Sequence, residues 1–331
     1  HGRCPTHQNI STMKHPNLFQ SYTFNNGVTV SNRLAVAPMT HLASDDNGHI
    51  TAEERQFLTD RFRGIGLFIS AATLVHDGGK AFYGQPEAIG TEDLPSLREV
   101  ARIAHDQGAK ALLQIHHGGW QSIPALNPNG EIFAPSEHPE TGAKALTEAQ
   151  ILSIIDGYGR AAELALEAGF DGVEIHGANN YLIQQFFSAQ SNRRTDAWGG
   201  SLQNRLRFPL AVVDAVTAVR DKHAKPEFII GYRFSPEEAG EDGLTMTETG
   251  ALIDALVQKP LQYLHVSLWE FDKKIRRGGD TAQTRMQFIH ERINGKLPLI
   301  GVGNLFTADQ ILAAYETGWA EFIALGKTVM L

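Results

Sequence analysis

The sequence predicts an α/β fold, a single (β/α)8 TIM barrel with an N-terminal β-hairpin plugging the bottom. Three observations lead there. About eight short apolar, β-branched runs alternate with longer amphipathic stretches, as parallel strands joined by helical crossovers do. The runs hand over abruptly to polar or glycine-bearing residues, the pattern of barrel strands at the C-terminal face where chemistry is placed. No short-period repeat points to a solenoid instead.

Composition sets the outer bounds. Of 331 residues, 42% are hydrophobic and 20% charged, enough for a large core and too apolar for disorder. The formal charge of -8, without a Lys/Arg cluster, gives nucleic acid and anionic membrane surfaces nothing to bind. No apolar run is long enough to span a bilayer. Cys4 is the single cysteine, so no intrachain disulfide forms and a reducing, cytoplasmic setting is expected. His1 to Thr12 is polar, irregular and unlike a signal peptide. It is expected to be an expression-vector remnant, leaving 13–331 as one barrel domain.

Tyr22 to Val30 alternates around Asn26-Gly27, the strongest short hairpin signal in the chain. Strand one is Leu34 to Ala37. Pro38-Met39-Thr40-His41 follows, where proline breaks the ladder and Thr40 presents a hydroxyl at the rim. A capping box of Thr51 and Glu54 opens helix one, which runs to about Arg63. Gly66 to Thr73 is strand two, and its small end, Ser70-Ala71-Ala72-Thr73, suits either a flat ligand or tight packing. Leu94 to Gln107 is helix two. Ala109 to Ile115 is strand three, with Gln114 offering both a donor and an acceptor. His116-His117-Gly118-Gly119 makes a polar turn able to fold over the mouth, and Pro124 to Glu140 is long for a mere connector.

Thr147 to Phe170 is a long amphipathic helix, opened by a Thr147/Gln150 capping box and closed at Gly169. Strand four, Asp171 to Ile175, follows. In the charged, glycine-rich loop Ser191 to Ser201, Arg193, Arg194 and Asp196 are expected to pair locally. Helix four is Leu202 to Lys222. Strand five is Phe228 to Tyr232, with Arg233 a fixed positive charge at its end. Helix five is Thr247 to Gln258 and strand six Tyr263 to Val266. The polar loop from Ser267 to Gly279 covers the mouth or is mobile, and no helix is placed between it and strand seven, Leu297 to Ile300. Helix seven is Thr307 to Glu316 and strand eight Glu321 to Ala324. The chain stops at Leu331 where helix eight should run, so that helix is expected to be truncated or disordered.

Two places carry chemistry. The first is Val173-Glu174-Ile175-His176-Gly177-Ala178-Asn179-Asn180-Tyr181, where a strand gives way at once to polar side chains. A neutral His176 and Asn179 offer N–H donors that suit a carbonyl oxygen gaining negative charge, and Tyr181 can deliver a proton. Taken singly, capping or packing is the better account of each of the three; gathered together at one strand end, they favour chemistry. The second is the pair of glycine-bearing turns after strands seven and eight, Gly301 to Asn304 and Leu325 to Thr328. Barrels bind phosphate there, through backbone N–H groups and a charge such as Lys327, although helix capping also explains the glycines.

Together these segments resemble the Old Yellow Enzyme family, the FMN-dependent ene-reductases, over nearly the whole chain after Pro16. The resemblance is carried by Glu174-Ile175-His176, Asn179-Asn180-Tyr181, Ser191 to Asp196, Gly199-Gly200-Ser201 and Asn204 to Phe208. Pro38-Met39-Thr40 and Arg233-Phe234-Ser235-Pro236 support it independently. It implies one barrel with FMN at its C-terminal mouth and NADH or NADPH as reductant. It implies that His176 and Asn179 bind a substrate carbonyl and that Tyr181 protonates the carbon α to it. Thr40, with Pro38 and Met39, would then meet the flavin, Ala72 and Gln114 would line the isoalloxazine, and Arg233 would face its N1/O2 edge. Gly303, Asn304, Gly326 and Lys327 would surround the phosphate. The implied reaction reduces the C=C bond of an α,β-unsaturated carbonyl compound by hydride transfer from flavin N5. The partners are then a small enone and no metal, with a homo-oligomer allowed.

The chain departs from the family pattern in places. Lys327 stands where the family usually has Arg, exchanging a bidentate fork for a point charge. Trp120 stands where many members have Arg, while Asn179 and Thr40 mark the His/Asn, Thr-type branch. With a single cysteine, the iron–sulfur relatives are excluded. Two other functions stay open: an FMN-containing NAD(P)H oxidase that passes electrons to oxygen, and, more remotely, a metal-dependent barrel hydrolase using His116, His117, His176 and His265. Adjacent His116 and His117 point to opposite faces of an extended chain, which weakens the latter.

Overall fold

The computed structural model describes residues 15–330. The segment His1 to Thr12 lies outside them. Among the described residues, eight parallel strands close into a ring: β1 (Leu34–Val36), β2 (Leu67–Ile69), β3 (Lys110–His116), β4 (Gly172–Gly177), β5 (Ile229–Phe234), β6 (Tyr263–Val266), β7 (Leu299–Gly301) and β8 (Phe322–Leu325). Each pairs with the next, and β8 returns to β1 with Ala324 opposite Ala35. The strands are buried on both faces, which is why they read as continuous apolar runs.

The outer ring is α1 (Ala52–Leu58), α2 (Leu94–Asp106), α3 (Glu148–Ala168), α4 (Leu202–Lys222), α5 (Met246–Leu256), α6 (Arg285–Ile293) and α7 (Ala308–Glu316), with a last helical turn at Lys327–Met330. α3 carries the expected reciprocal capping box between Thr147 and Gln150 and ends on left-handed Gly169, φ 90°. Such a cap is worth about 1 kcal/mol. No helix among the described residues is long and apolar enough to cross a membrane.

The hairpin forms between Tyr22–Thr23 and Thr29–Val30. Its turn is a three-residue one: Gly27 N–H donates to Phe24 O at 2.9 Å and Gly27 alone takes the left-handed conformation, φ 85°. Phe24 and Val30 enter the N-terminal end of the barrel among Leu67, Leu112, Ile229, Tyr263 and Phe322. Phe24 stacks on Phe322 with ring centres 5.6 Å apart. The hairpin is therefore the barrel's bottom plug.

Four sequence expectations need correction. α1 stops at Leu58 rather than near Arg63, because Thr59 turns extended and Asp60 goes left-handed at φ 59°. Its capping box is only half made. Thr51 Oγ1 accepts from Glu54 N–H, but the Glu54 carboxylate turns inward to Ser44 and His41. Strand two breaks after Ile69, where Ser70 Oγ takes the Gln114 N–H, and resumes as Thr73–Leu74 beside Ile115 and His116. Finally, α6 fills the stretch where no helix was expected, capped by Thr284 and ended by left-handed Asn294.

Candidate active site

The inward-facing residues near the C-terminal ends of β3 to β6 are polar: Gln114 and His116, Glu174 and His176, Arg233, and His265. All are buried. Register places Gln114 opposite Glu174, and Arg233 opposite both His176 and His265. Glu174 is the hub. Its Oε1 accepts from Gln114 Nε2 at 2.8 Å, and its Oε2 accepts from Tyr263 OH at 2.9 Å and from His265 Nδ1 at 2.8 Å. Burial pushes the carboxyl up, but His265, Arg233 and Gln114 outweigh it and hold it below the usual carboxylate range.

His176 is held neutral. Burial first, then the Arg233 charge, lower its pKa to about 3. Its Nδ1 accepts from the Ala178 N–H at 3.2 Å, so the ring proton sits on Nε2, the free donor. Tyr181 packs edge-on to His176, ring centres 5.2 Å apart, and to His116 at 4.3 Å. Burial raises the Tyr181 phenol, which stays protonated at neutral pH.

Asn179 and Asn180 both adopt left-handed backbones, φ 57° and 60°, which asparagine tolerates better than most residues. The Asn179 N–H donates to Ser235 Oγ at 2.8 Å, and its Oδ1 accepts from Ser267 Oγ at 2.7 Å. With its oxygen engaged, the amide NH2 is left to donate into the adjoining cleft.

That cleft, about 550 Å³, is lined by Pro38, Met39, Thr40, Asn179, Arg233, Gly303, Asn304, Gly326 and Lys327. Its size suits a cofactor pocket. Gly303 has φ 140°, and a Cβ there would lie 2.5 Å from the Phe271 nitrogen, so the β7 turn tolerates no side chain. Asn304 follows at φ 48°, and Thr328 Oγ1 donates to Leu305 O at 2.8 Å, tying the β7 and β8 turns together. Lys327 Nζ lies 5.2 Å from the ring centre of Trp269, which is exposed.

Four expected site residues sit beside this cleft rather than on its wall. Gln114 lies beneath it, bound to Glu174. His176 and Tyr181 form the aromatic cluster with His116 next to Asn179. The Ala72 carbonyl accepts from Gln85 Nε2, which also reaches His116 Nδ1 at 2.9 Å. Sequence reasoning missed Glu174 as a hub, Ser235 and Ser267 as supports for Asn179, and His116 as a wall of the Tyr181 cluster. Position at a strand end was the signal available for the last three.

With this geometry in hand, one match decides the family. The model of the NADH:flavin oxidoreductase / NADH oxidase family aligns with residues 17–331. The chain belongs to this family. The probable NADH-dependent flavin oxidoreductase YqiG of Bacillus subtilis is 47% identical over 321 residues, 96% of this chain and 86% of that protein. The NADH:fumarate oxidoreductase of Klebsiella pneumoniae is 41% identical over 318 residues, 94% of this chain; this chain spans only 34% of its length. Among solved structures, morphinone reductase in complex with tetrahydroNAD superimposes with a TM-score of 0.77 at 28% identity, covering 94% of this chain and 86% of that one. The chain is thus an FMN-dependent oxidoreductase that takes its electrons from NADH or NADPH.

The residues present fit such a flavin. The Arg233 Nε is buried and lacks a hydrogen-bond partner among the described residues, glycine leaves the β7 turn open to close approach, and Lys327 lines the same cleft. Among the described residues no group of three or more His, Cys, Asp or Glu side chains is arranged to hold a metal ion. His116 and His117 do point apart, the second toward His76 with ring centres 6.4 Å apart.

The loops behave as braces. Arg194 forms a two-pronged pair with Asp196 and donates to the carbonyls of Pro135 and Leu146, while Arg193 reaches the Glu137 carbonyl. The expected local pairing thus also anchors the long 124–146 segment, where Trp120 stacks on His138 at 4.5 Å. The Arg276–Gly279 loop is tied down rather than loose, since Arg277 donates to the carbonyls of Glu238, Glu241 and Gly243.

Proposed function

We propose that the chain reduces the C=C bond of α,β-unsaturated carbonyl compounds, with NADH or NADPH as the electron source. One observation carries this: a neutral histidine N–H, an asparagine amide and a protonated phenol gather beside a flavin-sized cleft whose wall includes a buried arginine. Bound FMN supplies the hydride from N5.

The remaining work falls to side chains. His176 Nε2–H and the Asn179 amide donate to the substrate carbonyl oxygen as charge builds there, each contributing about 3–4 kcal/mol by analogy with oxyanion-hole donors. Tyr181 OH gives a proton to the α-carbon. Arg233 would stabilise the negative charge of a reduced flavin held in the cleft it lines. Pro38, Met39 and Thr40 on the cleft wall would position the ring system, with Ala72 and Gln114 behind it, and Gly303, Asn304, Gly326 and Lys327 would hold its phosphate.

Anaerobic turnover of 2-cyclohexenone with NADH, and separately with NADPH, tests the proposal on protein showing flavin absorbance. Nicotinamide oxidation without formation of cyclohexanone, but with oxygen consumption in air, would favour the oxidase that the family's description also names.

A further inference from the structure

One buried acid has no part in the steps above. Glu174 lies on β4 two residues before His176, fully buried, with three hydrogen-bond donors on it. The fold makes room for this. Gly231 stands opposite it on β5, where a Cβ would fall within the Tyr263 ring, so the Tyr263 phenol from β6 passes over β5 to reach Glu174. A carboxylate taken out of water so completely is costly, and a structural core would do as well with apolar packing.

Two of its neighbours suggest what the charge does. Gln114 gives an N–H to Glu174, which fixes the amide's orientation and turns its acceptor, Oε1, away from the carboxylate. Isoalloxazine carries one ring N–H, at N3. Arg233, buried beside the cleft, has Glu174 as the main counter-charge that steadies its cationic form. A lone buried guanidinium would favour any ligand that gains negative charge, and a carboxylate behind it tempers that preference.

We propose that Glu174 is a positioning residue that orients Gln114 toward the flavin N3–H and sets how strongly Arg233 favours the reduced flavin; this rests on the FMN site described above. Glu174 touches neither flavin nor substrate. It acts through Gln114 and Arg233.

The test is the midpoint potential of protein-bound FMN, together with its dissociation constant, in the parent and in two variants. Glu174→Gln keeps the shape and removes the charge. The potential should move positive by a tenfold or larger change in the two-electron equilibrium, about 30 mV. FMN should also dissociate at least tenfold more readily, because a neutral amide can turn Gln114 around. Tyr263→Phe keeps the charge but strips one donor from it, leaving a less neutralised carboxylate, so the potential should move the opposite way. That second variant decides the matter if Glu174→Gln does not fold. Flavin-loaded variants with the parent's potential would overturn the proposal and reduce Glu174 to a spacer. A parent protein that retains no FMN would instead overturn the site reading beneath it.

Discussion

Tyr181→Phe isolates one proton. The substitution removes a single oxygen and keeps the ring, whose edge contacts with His116 and His176 lie at 4.3 and 5.2 Å. Among the described residues the hydroxyl has no hydrogen-bond partner to lose, so folding stability should change by less than about 0.5 kcal/mol. General-acid catalysis is worth about 10² to 10⁴ in rate. At 1.36 kcal/mol per decade, that is about 3–5 kcal/mol of barrier on the alkene step alone. Burial raises the phenol's pKa, so in the parent this step should be independent of pH across the neutral range and fail only above the usual tyrosine range. Anaerobic stopped-flow separates the two halves: bleaching of the flavin band by NADH, then its return on mixing with 2-cyclohexenone. Bleaching should keep its parent rate while the return slows by at least a hundredfold. An equal slowing of both, or an unhindered return, would refute Tyr181 as the proton donor.

His176→Ala should slow the alkene step by about 10² to 10³, with flavin reduction close to normal, in the same stopped-flow experiment. His176 also bears on acid stability. Its folded pKa of about 3 lies below the unfolded value of 6.5, so the unfolded chain takes up the proton first and stability falls as pH drops below 6.5. At pH 5 this loss is about 2 kcal/mol, and urea titrations from pH 7.5 to 5 should fall less steeply in His176→Gln. Gly303→Ala forces a Cβ against the Phe271 backbone at an unfavourable φ, costing about 1–3 kcal/mol, and a thermal melt should show a lower midpoint with reduced flavin content. Lys327→Ala should raise the FMN dissociation constant and flatten its salt dependence, whereas Lys327→Arg should tighten binding; equal affinities in all three would remove Lys327 from the phosphate site.

What was legible in the sequence followed from local rules. Alternation and caps give the barrel, the plug and α3, because each depends on residues a few positions apart. Arg194 and Asp196 are near neighbours, and their pairing followed. Most of the failures share another cause. Glu54 looked like the second half of a capping box, but Ser44 and His41 compete for it. α6 is a different case: Met286, Ile289 and Ile293 stand at helical spacing behind the Thr284 cap, a signal present in the residues themselves. The break in strand two depends on Ser70 taking an N–H from Gln114, 44 residues away. Glu174 reads as one polar residue within an apolar run; its partners Gln114 and His265 lie 60 and 91 positions off, and only barrel closure brings them together.

The same closure explains why the proposed donors are neutral. Three histidines, His116, His117 and His176, lie within or next to the strand ends, and burial holds each well below its ordinary pKa. For His176 the Arg233 charge adds to the effect. A cationic imidazolium at that position would bind a carbonyl oxygen tightly before reaction as well as during it, and uniform binding does not accelerate chemistry. A neutral N–H, fixed on Nε2 because Nδ1 is occupied by the Ala178 N–H, binds the resting carbonyl weakly and strengthens as charge develops. In the proposed mechanism the buried arginine thus has two effects from one position: it would favour negative charge on the flavin side, and it adds to burial in keeping the substrate-side imidazole uncharged.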